Sequence, residues 1–266
     1  DDEGTIFFYG IVVQVKATSG SPTVQVTAYD RGVYLANNDG TYNFRDVAPE
    51  AAAVQICREY GIPYTAIAET GIRVSRKFSA VPLWQILATM YAKAGEQNGK
   101  QYMIRFAGKD LSITERRERD TNLVIRPGSN LIQAETTKSI INLRDSVVVY
   151  DSAGNRLQVV DDAELVSLYG LMQRHITLRD GEDPAAEARA ALEKAAPETT
   201  ISVQARGNTR IVTGETVIVS NSDTGLQGLF WVESDTHIWA NGLHQMRLTL
   251  LAKNIGYTAS AGSDIK

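Results

Sequence analysis

Residues 229–252 read LFWVESDTHIWANGLHQMRLTLLA and contain the strongest local fold signal in the chain. Two apolar runs flank Asn241-Gly242, and Asn-Gly is the preferred sequence of a two-residue β-hairpin turn. The residue pairs that such a turn creates are Ala240–Leu243, Trp239–His244 and His237–Met246. The sequence therefore predicts a long antiparallel hairpin of defined register.

Side-chain alternation along this hairpin places Asp235, His237 and His244 on one face. A diagonal pair of histidines with a carboxylate one step away could hold a divalent metal ion. Trp239 and Met246 occupy the same face, however, and no further ligand has a fixed position. Short ligand patterns are also often coincidental. We therefore expect no catalytic residue, metal or cofactor, and keep the two histidines and Asp235 as the candidate metal ligands.

The region around the hairpin, residues 117–255, is rich in short strand patterns separated by turn signals, which favours a β-barrel or sandwich. The further candidate strands cover residues 122–126, 145–150, 156–160, 199–205 and 215–220. One helix interrupts them at about residues 184–196, with Asp183 as its N-cap. The acidic groups at 161–164 and 180–183 are interpreted as solvated turns and helix caps.

Residues 45–116 predict a small α+β domain. Its first helix begins at Pro49 and ends before Gly61, and its second begins at Pro82 and ends at Gly95. Two short strands follow at residues 102–106 and 111–114. The mixed charges of residues 115–120 fit either a solvated strand end or a salt-bridge network between subunits.

Residues 1–44 predict a hairpin built from 6–15 and 24–29. A two-stranded hairpin is not stable by itself. Its missing partners are expected from elsewhere in the chain, from a removed N-terminal segment or from another subunit. Residues 256–266 predict a flexible tail.

The composition is that of a globular protein. The 266 residues include 43% hydrophobic and 22% charged side chains, with a net charge of −4. This excludes disorder, collagen and coiled coil, and gives no reason to expect nucleic acid as a bound partner. The single cysteine, Cys57, excludes internal disulfides, suits a reducing compartment, and lies on the apolar face of a helix, where a thiol is inert. No nucleophile motif, phosphate loop or membrane anchor is present, so a structural protein is favoured over an enzyme.

A series of short motifs resembles one known family. The segment AYDRGVYLANN at 28–38 is the first, and later segments follow in the same order at 48–50, 61–63, 70–72, 99–104, 169–173, 225–232 and 235–246. In this order they resemble the XkdQ/YqbQ family of phage and prophage tail proteins, over about residues 5–252.

The resemblance implies the central baseplate hub of a contractile tail. Such a hub has two β-barrel tube domains and an inserted α+β domain, and three copies form a ring that adapts the hexameric tail tube to the trimeric spike. Residues 1–44 would then be part of the first barrel, whose N-terminal portion is expected to be missing, and residues 117–255 the second barrel. The implied partners are the tail tube, spike and tape-measure proteins, with DNA only as passing cargo. The implied location is the virion baseplate, after assembly in the cytoplasm of the bacterial host.

Two other functions remain open from the residues. One is a cell-wall (peptidoglycan) hydrolase or another metal-dependent enzyme that uses the His237/His244 face. The other is a glycan-binding or peptide-binding module on an aromatic strand surface around Phe230, Trp231 and Trp239.

Overall fold

The structure is a computed structural model, and it describes residue 6 and residues 8–116, 123–178, 183–253 and 261–265. The fold is α+β with mainly antiparallel strands, as the sequence predicts. None of the described helices is long and apolar enough to cross a membrane.

The first two strands form a sheet of their own. Strand β1 (Ile11–Ala17) pairs antiparallel with β2 (Val24–Tyr29), and a bulge interrupts the register between Val12 and Gln14. The predicted hairpin is confirmed, although its first strand begins later than expected. No other described strand pairs with either edge of this hairpin.

A helical and β-stranded unit follows the hairpin. Its elements are α1 (Gly32–Asn37), β3 (Asp39–Val47), α2 (Pro49–Glu59), β4 (Tyr64–Ile67), β5 (Val74–Pro82), α3 (Leu83–Asn98), β6 (Tyr102–Ala107) and β7 (Asp110–Glu115). Both predicted helices are present, and α2 begins at Pro49 as expected. The second helix, α3, continues through Gly95 to Asn98 and ends at Gly99, which adopts a left-handed conformation.

The core of this unit lies around α3, whose apolar stripe is fully buried. Leu35, Tyr42 and Phe44 belong to the same core, although they precede the domain start predicted at residue 45. The reason is that β3 crosses that position and pairs with β5 along its length. Short alternating segments such as β3 and β5 gave no clear strand signal beside two strong helices.

The C-terminal residues 261–265 are not a loose tail, which corrects part of the prediction for 256–266. Strand β17 (Ser263–Asp264) pairs with β5. The buried guanidinium of Arg76 donates from Nε to the Ala261 carbonyl oxygen at 2.6 Å and also contacts the Asp264 carboxylate. A buried arginine must find oxygen partners, and these residues supply them. Residues 254–260 and 266 lie outside the described part of the chain.

The third region is organised around one six-stranded sheet that forms a half-barrel. Its strands are β8 (Val124–Ile125), β9 (Leu131–Ser139), β13 (Glu198–Arg206), β14 (Thr216–Asn221), β15 (Leu226–Ala240) and β16 (Leu243–Leu251). Their spatial order is β8-β14-β15-β16-β13-β9, so β8 and β9 are the edges. Inward-facing valines and leucines such as Val203, Val232 and Leu248 fill its core.

A small insert separates β9 from β13. It consists of β10 (Ser146–Tyr150), β11 (Arg156–Asp161), α4 (Ala163–Tyr169), β12 (Gln173–Thr177) and α5 (Pro184–Lys194). The sheet order is β11-β10-β12, with β12 parallel to β10, and α5 packs against the sheet through Ala188 and Leu192. The sequence predicted β10, β11 and α5, but as parts of the barrel.

The acidic residues 161–164 include a helix cap, as interpreted, although helix α4 itself was not predicted. Asp162 is its N-cap and accepts a hydrogen bond from the Leu165 N–H at 3.0 Å. Asp183 caps α5 in the same way, as predicted, and accepts from the Ala185 N–H at 3.0 Å. The acidic residues 180–182 lie outside the described residues.

Arg116 joins the first unit to the half-barrel. Its guanidinium lies 5.0 Å from the centre of the Trp231 ring and donates to the Val232 carbonyl oxygen at 3.3 Å. Arg105 and Glu215 add an ion pair at 3.8 Å across the same junction. The charged segment 115–120 therefore contributes to contacts within the chain, and its residues 117–120 lie outside the described part.

Candidate functional site

The β15–β16 hairpin has the register that its Asn-Gly turn predicts. His237 pairs with Met246, Trp239 with His244 and Ala240 with Leu243. Asn241 takes a positive φ of 52° and Gly242 one of 73°, as the two central residues of this turn type require. The candidate residues are therefore brought together as expected.

The two histidine rings are hydrogen-bonded to each other. His237 Nδ1 lies 2.9 Å from His244 Nε2, and His237 Nε2 lies 3.0 Å from the carbonyl oxygen of Ile211. A carbonyl oxygen only accepts, so His237 donates from Nε2, and in its neutral form its Nδ1 accepts from His244. A proton added at His244 Nδ1 leaves both hydrogen bonds in place. A proton at His237 Nδ1 as well would place two N–H donors opposite each other and break the bond between the rings.

Asp235 is the third predicted member of this face. Its Oδ1 accepts hydrogen bonds from the backbone N–H and the hydroxyl of Thr213, at 2.6 and 2.7 Å. Its Oδ2 lies 3.4 Å from His237 Nε2. The carboxylate therefore fixes the loop before β14 and stands beside the histidine pair.

Trp239 and Gly207 hold the outer histidine in place. The Trp239 ring is stacked on His244 with 4.2 Å between ring centres, while Gly207 donates its N–H to the His244 carbonyl oxygen at 2.8 Å. A Cβ atom at Gly207 would lie 2.0 Å from Cγ of the His244 ring, so only glycine fits this position. Burial of the ring and the proximity of His237 lower the pKa of His244 from its ordinary value.

This geometry uses the ring nitrogens for packing and hydrogen bonding. A zinc ion would need the lone pairs of both rings to point at it, at about 2.0–2.1 Å from each nitrogen, whereas the His237 Nδ1 lone pair points at His244. Within the described residues, no group of three or more His, Cys, Asp or Glu side chains is arranged to hold a metal ion. Burial raises the pKa of the Cys57 thiol to about 11, which keeps it protonated and unreactive at neutral pH.

Sequence reasoning missed three partners of the histidine face, which are Gly207, Ile211 and Thr213. They lie in the connection between β13 and β14, and no periodic pattern there points at the hairpin. The aromatic surface considered as a binding site is also not present as such. Phe230 and Trp231 are buried, and only Trp239 is exposed.

One face of the β1–β2 hairpin is an exposed apolar surface. Four valines, which are 55% to 62% exposed, share this face: Val12, Val15, Val24 and Val26. The opposite face carries Gln14, Lys16, Gln25 and Thr27, with the Ile11–Tyr29 pair at one end. The hairpin is therefore amphipathic, as a strand pair on the surface of a core would be, but its apolar face has no cover among the described residues.

A family comparison accounts for this combination of elements. The profile of the family described as YQBQ-like matches residues 1–251. The chain belongs to the YQBQ-like family. The resemblance found in the sequence motifs is thereby confirmed.

Relatives of this YQBQ-like chain include the phage-like element PBSX protein XkdQ of Bacillus subtilis (strain 168). The two are 24% identical over 261 residues, which cover 95% of this chain and 80% of XkdQ. The uncharacterized protein YqbQ of the same strain is 23% identical over 86% of this chain and 73% of its own length.

Solved structures share the fold. The 43 kDa tail protein of prophage MuSo2 from Shewanella oneidensis has a TM-score of 0.65 at 14% identity, over 91% of this YQBQ-like chain and 76% of its own. The E. coli c3393 protein, a component of the type VI secretion system, has a TM-score of 0.53 at 13% identity, over 97% of this chain and 62% of its own.

Proposed function

We propose that this chain is a structural component of the tail of a phage or phage-like particle. In this proposal three copies form the hub ring of a contractile-tail baseplate, between the hexameric tail tube and the trimeric spike. Membership of the YQBQ-like family supports the tail assignment. The names of the relatives and of the structural neighbours, a PBSX phage-like element protein and two tail proteins of which one is from a prophage, point the same way.

The observation that carries the ring is the open apolar face of the β1–β2 hairpin. An amphipathic two-stranded sheet gains stability only when its apolar face and its edges are covered. We assign a second copy of the chain as the cover. A contact from this hairpin to a different surface of the next copy is heterologous, and such contacts build closed rings when the rotation per subunit fits.

The half-barrel offers a second incomplete surface. Among the described strands its sheet ends at β8 and β9, and β9 presents a nine-residue edge. Edges of this length are usually covered or paired. In the proposed ring, the β1–β2 hairpin and residues 117–255 contribute to two barrels per copy, and neighbouring copies complete them.

The charge of the chain suits a channel. With a net charge of −4, the chain has no overall excess of positive charge that would retain DNA phosphates. The proposed partners are those that the family resemblance implies, namely the tail tube, spike and tape-measure proteins. DNA is only passing cargo.

Light scattering over a concentration series tests the ring. A trimer has three times the chain mass of 29.1 kDa, about 87 kDa. Val26→Lys puts a charge on the open apolar face, and we expect it to abolish association. Gln25→Lys, on the polar face of the same strand, is the matched control and should associate like the wild type. A chain that stays monomeric at every concentration, also when mixed with tube and spike proteins, would contradict the ring.

A non-enzymatic role is part of the proposal. The alternative enzyme, a cell-wall hydrolase or metal-dependent enzyme, would have to use the His237/His244 face with Asp235. Elemental analysis for stoichiometric zinc and peptidoglycan clearing by wild type and His244→Ala test it directly. Bound zinc at one equivalent, or clearing that His244→Ala abolishes, would overturn the structural role.

A further inference from the structure

The outer edge of β12 in the small insert has no partner strand in the described part of the chain. Strand β12 is the last strand of the β11-β10-β12 sheet and pairs only with β10 among the described strands. Two hydrogen bonds flank the pairing. The Asp145 N–H donates to the Met172 carbonyl oxygen at 3.1 Å, and the Leu178 N–H donates to the Tyr150 carbonyl oxygen at 2.9 Å. Residues 172 and 178 therefore face β10, and because backbone groups alternate in direction along a strand, residues 174 and 176 face β10 as well.

The intervening residues Gln173, His175 and Thr177 direct their N–H and C=O groups away from β10. These groups have no partner among the described residues. The edge thus presents alternating donors and acceptors along a five-residue strand. Such a row can pair with one more extended chain.

An open groove of about 730 Å³ lies beside the first three residues of this edge, 173–175. Its lining includes residues from both faces of β12, the end of α5, the segment after β9 and the first residue of β13. Because both faces of β12 contribute, the groove lies at the edge of the strand. The residues that line it are Asn142, Arg144, Gln173, Arg174, His175, Lys194, Ala195 and Glu198.

The groove is mainly cationic. Arg144, Arg174 and Lys194 carry positive charge, and Glu198 is the single acidic residue of the lining. None of the three cations forms an ion pair with another described residue. A ligand with negative charge along its length would therefore gain three ionic contacts.

We propose that the β12 edge binds an extended acidic peptide segment of a partner protein. The segment adds a fourth strand to the insert sheet, and its carboxylates face Arg144, Arg174 and Lys194. This binding surface is separate from the hairpin face, so the proposal does not depend on the ring.

The backbone pattern favours a peptide over a nucleic acid. Phosphate groups only accept hydrogen bonds, so they would leave the outward carbonyl oxygens of residues 173, 175 and 177 without donors. A peptide strand supplies both donors and acceptors at the spacing of the edge.

Fluorescence anisotropy with the full chain tests the proposal. The probe is a fluorescein-labelled peptide of eight residues that alternates glutamate and threonine. The comparison probes are the lysine–threonine peptide, the same acidic peptide with alternate N-methyl groups, and a single-stranded DNA oligonucleotide. We expect binding of the acidic peptide alone, and loss of binding on N-methylation, because the methyl groups remove the donors that pair with the edge.

Two pairs of variants locate the site. Arg174→Ala should weaken binding by about tenfold, while Arg189→Ala, at an exposed position of α5 outside the groove, should not change it. His175→Pro removes one outward N–H but no hydrogen bond to β10, and should weaken binding more than His175→Ala, which keeps that N–H. Circular dichroism checks that each variant is folded.

Two results would overturn the proposal. One is the absence of acidic-peptide binding up to about 1 mM, the weak limit of specific recognition. The other is binding that Arg174→Ala reduces but N-methylation leaves unchanged, above all if the oligonucleotide binds as well. That outcome would assign the groove to phosphate groups instead.

Discussion

The two hairpins β1–β2 and β15–β16 have similar patterns of apolar and polar residues, but one is exposed and the other is buried in a sheet. Both combine β-branched and aromatic residues with polar ones at period two. The strands of β15–β16 lie in the middle of a six-stranded sheet, where Val232 and Leu248 are buried. The strands of β1–β2 pair with no other described strand, and the four valines on their apolar face are more than half exposed.

The comparison separates local from tertiary contributions. An alternating pattern is sufficient to form a hairpin with an apolar face, but the free energy comes from what covers that face. For β15–β16 the cover is the rest of the half-barrel. For β1–β2 it is, in our proposal, another copy of the chain, so the stability of this hairpin should depend on protein concentration.

The largest expected effect is that of Leu248→Ala in the covered hairpin. It removes a buried side chain from the half-barrel core and should lower the free energy of unfolding by about 2–5 kcal/mol. Leu243→Ala, on the same strand but 64% exposed, should change it by less than about 0.5 kcal/mol. Urea unfolding followed by circular dichroism measures both, and equal losses would show that β16 is not packed as described.

Gly207→Ala should have the next largest effect. The new methyl group would overlap the His244 ring, which must leave its stack with Trp239. We expect a loss of about 1–3 kcal/mol in the free energy of unfolding and a changed tryptophan fluorescence spectrum. Gly225→Ala, at a turn of the same half-barrel, adds a methyl group in open space and controls for the backbone, although its positive φ adds strain. An unchanged spectrum in Gly207→Ala would contradict the packing around His244.

A smaller effect is expected from pH on the stability of the half-barrel. The pKa of His244 is lowered in the folded chain from its ordinary value of 6.5, so below that pH the unfolded chain binds more protons at this position. The stabilising contribution of the neutral ring is fully present above pH 6.5 and is lost as the pH falls through the lowered pKa. Thermal unfolding between pH 7.5 and pH 5 measures this, and His244→Gln should have a flatter profile in that window.

The smallest effect is expected from Val26→Ala in the open hairpin. At concentrations where the chain is monomeric, the free energy of unfolding should change by less than about 0.5 kcal/mol, because the side chain is exposed. Val203→Ala, in the half-barrel core, is the matched substitution and should cost about 2 kcal/mol. A large loss for Val26→Ala in the monomer would mean that the hairpin is covered within its own chain.

The parts that sequence reasoning predicted well are those that local rules determine. The Asn241-Gly242 turn fixes the register of β15–β16, and Pro49 and Asp183 mark the starts of α2 and α5. The proximity of Asp235, His237 and His244 follows from that register alone. The family resemblance also rests on local motifs, and the family match confirms it.

The parts that were missed depend on contacts between distant residues. Strands β10 and β11 of the insert were recognised, but β12 was not, and nothing in the sequence shows that it pairs in parallel with β10. Strand β9 is largely polar and exposed, so its sequence shows no alternation of apolar and polar residues that would predict a strand. The contacts of His237 with Ile211 and of His244 with Gly207 bring together residues 26 and 37 positions apart, which no local pattern indicates.

The pairing of β17 with β5 has a consequence for the order of events during synthesis. Arg76 and the Ala261 oxygen that it contacts are 185 positions apart in the chain. The ribosome therefore completes α3, the half-barrel strands and the insert before β17, an edge strand of the β17-β5-β3 sheet, is available. Until β17 pairs with β5, the Arg76 guanidinium lacks these partners and stays hydrated, so the first unit is completed only after the half-barrel has been synthesised.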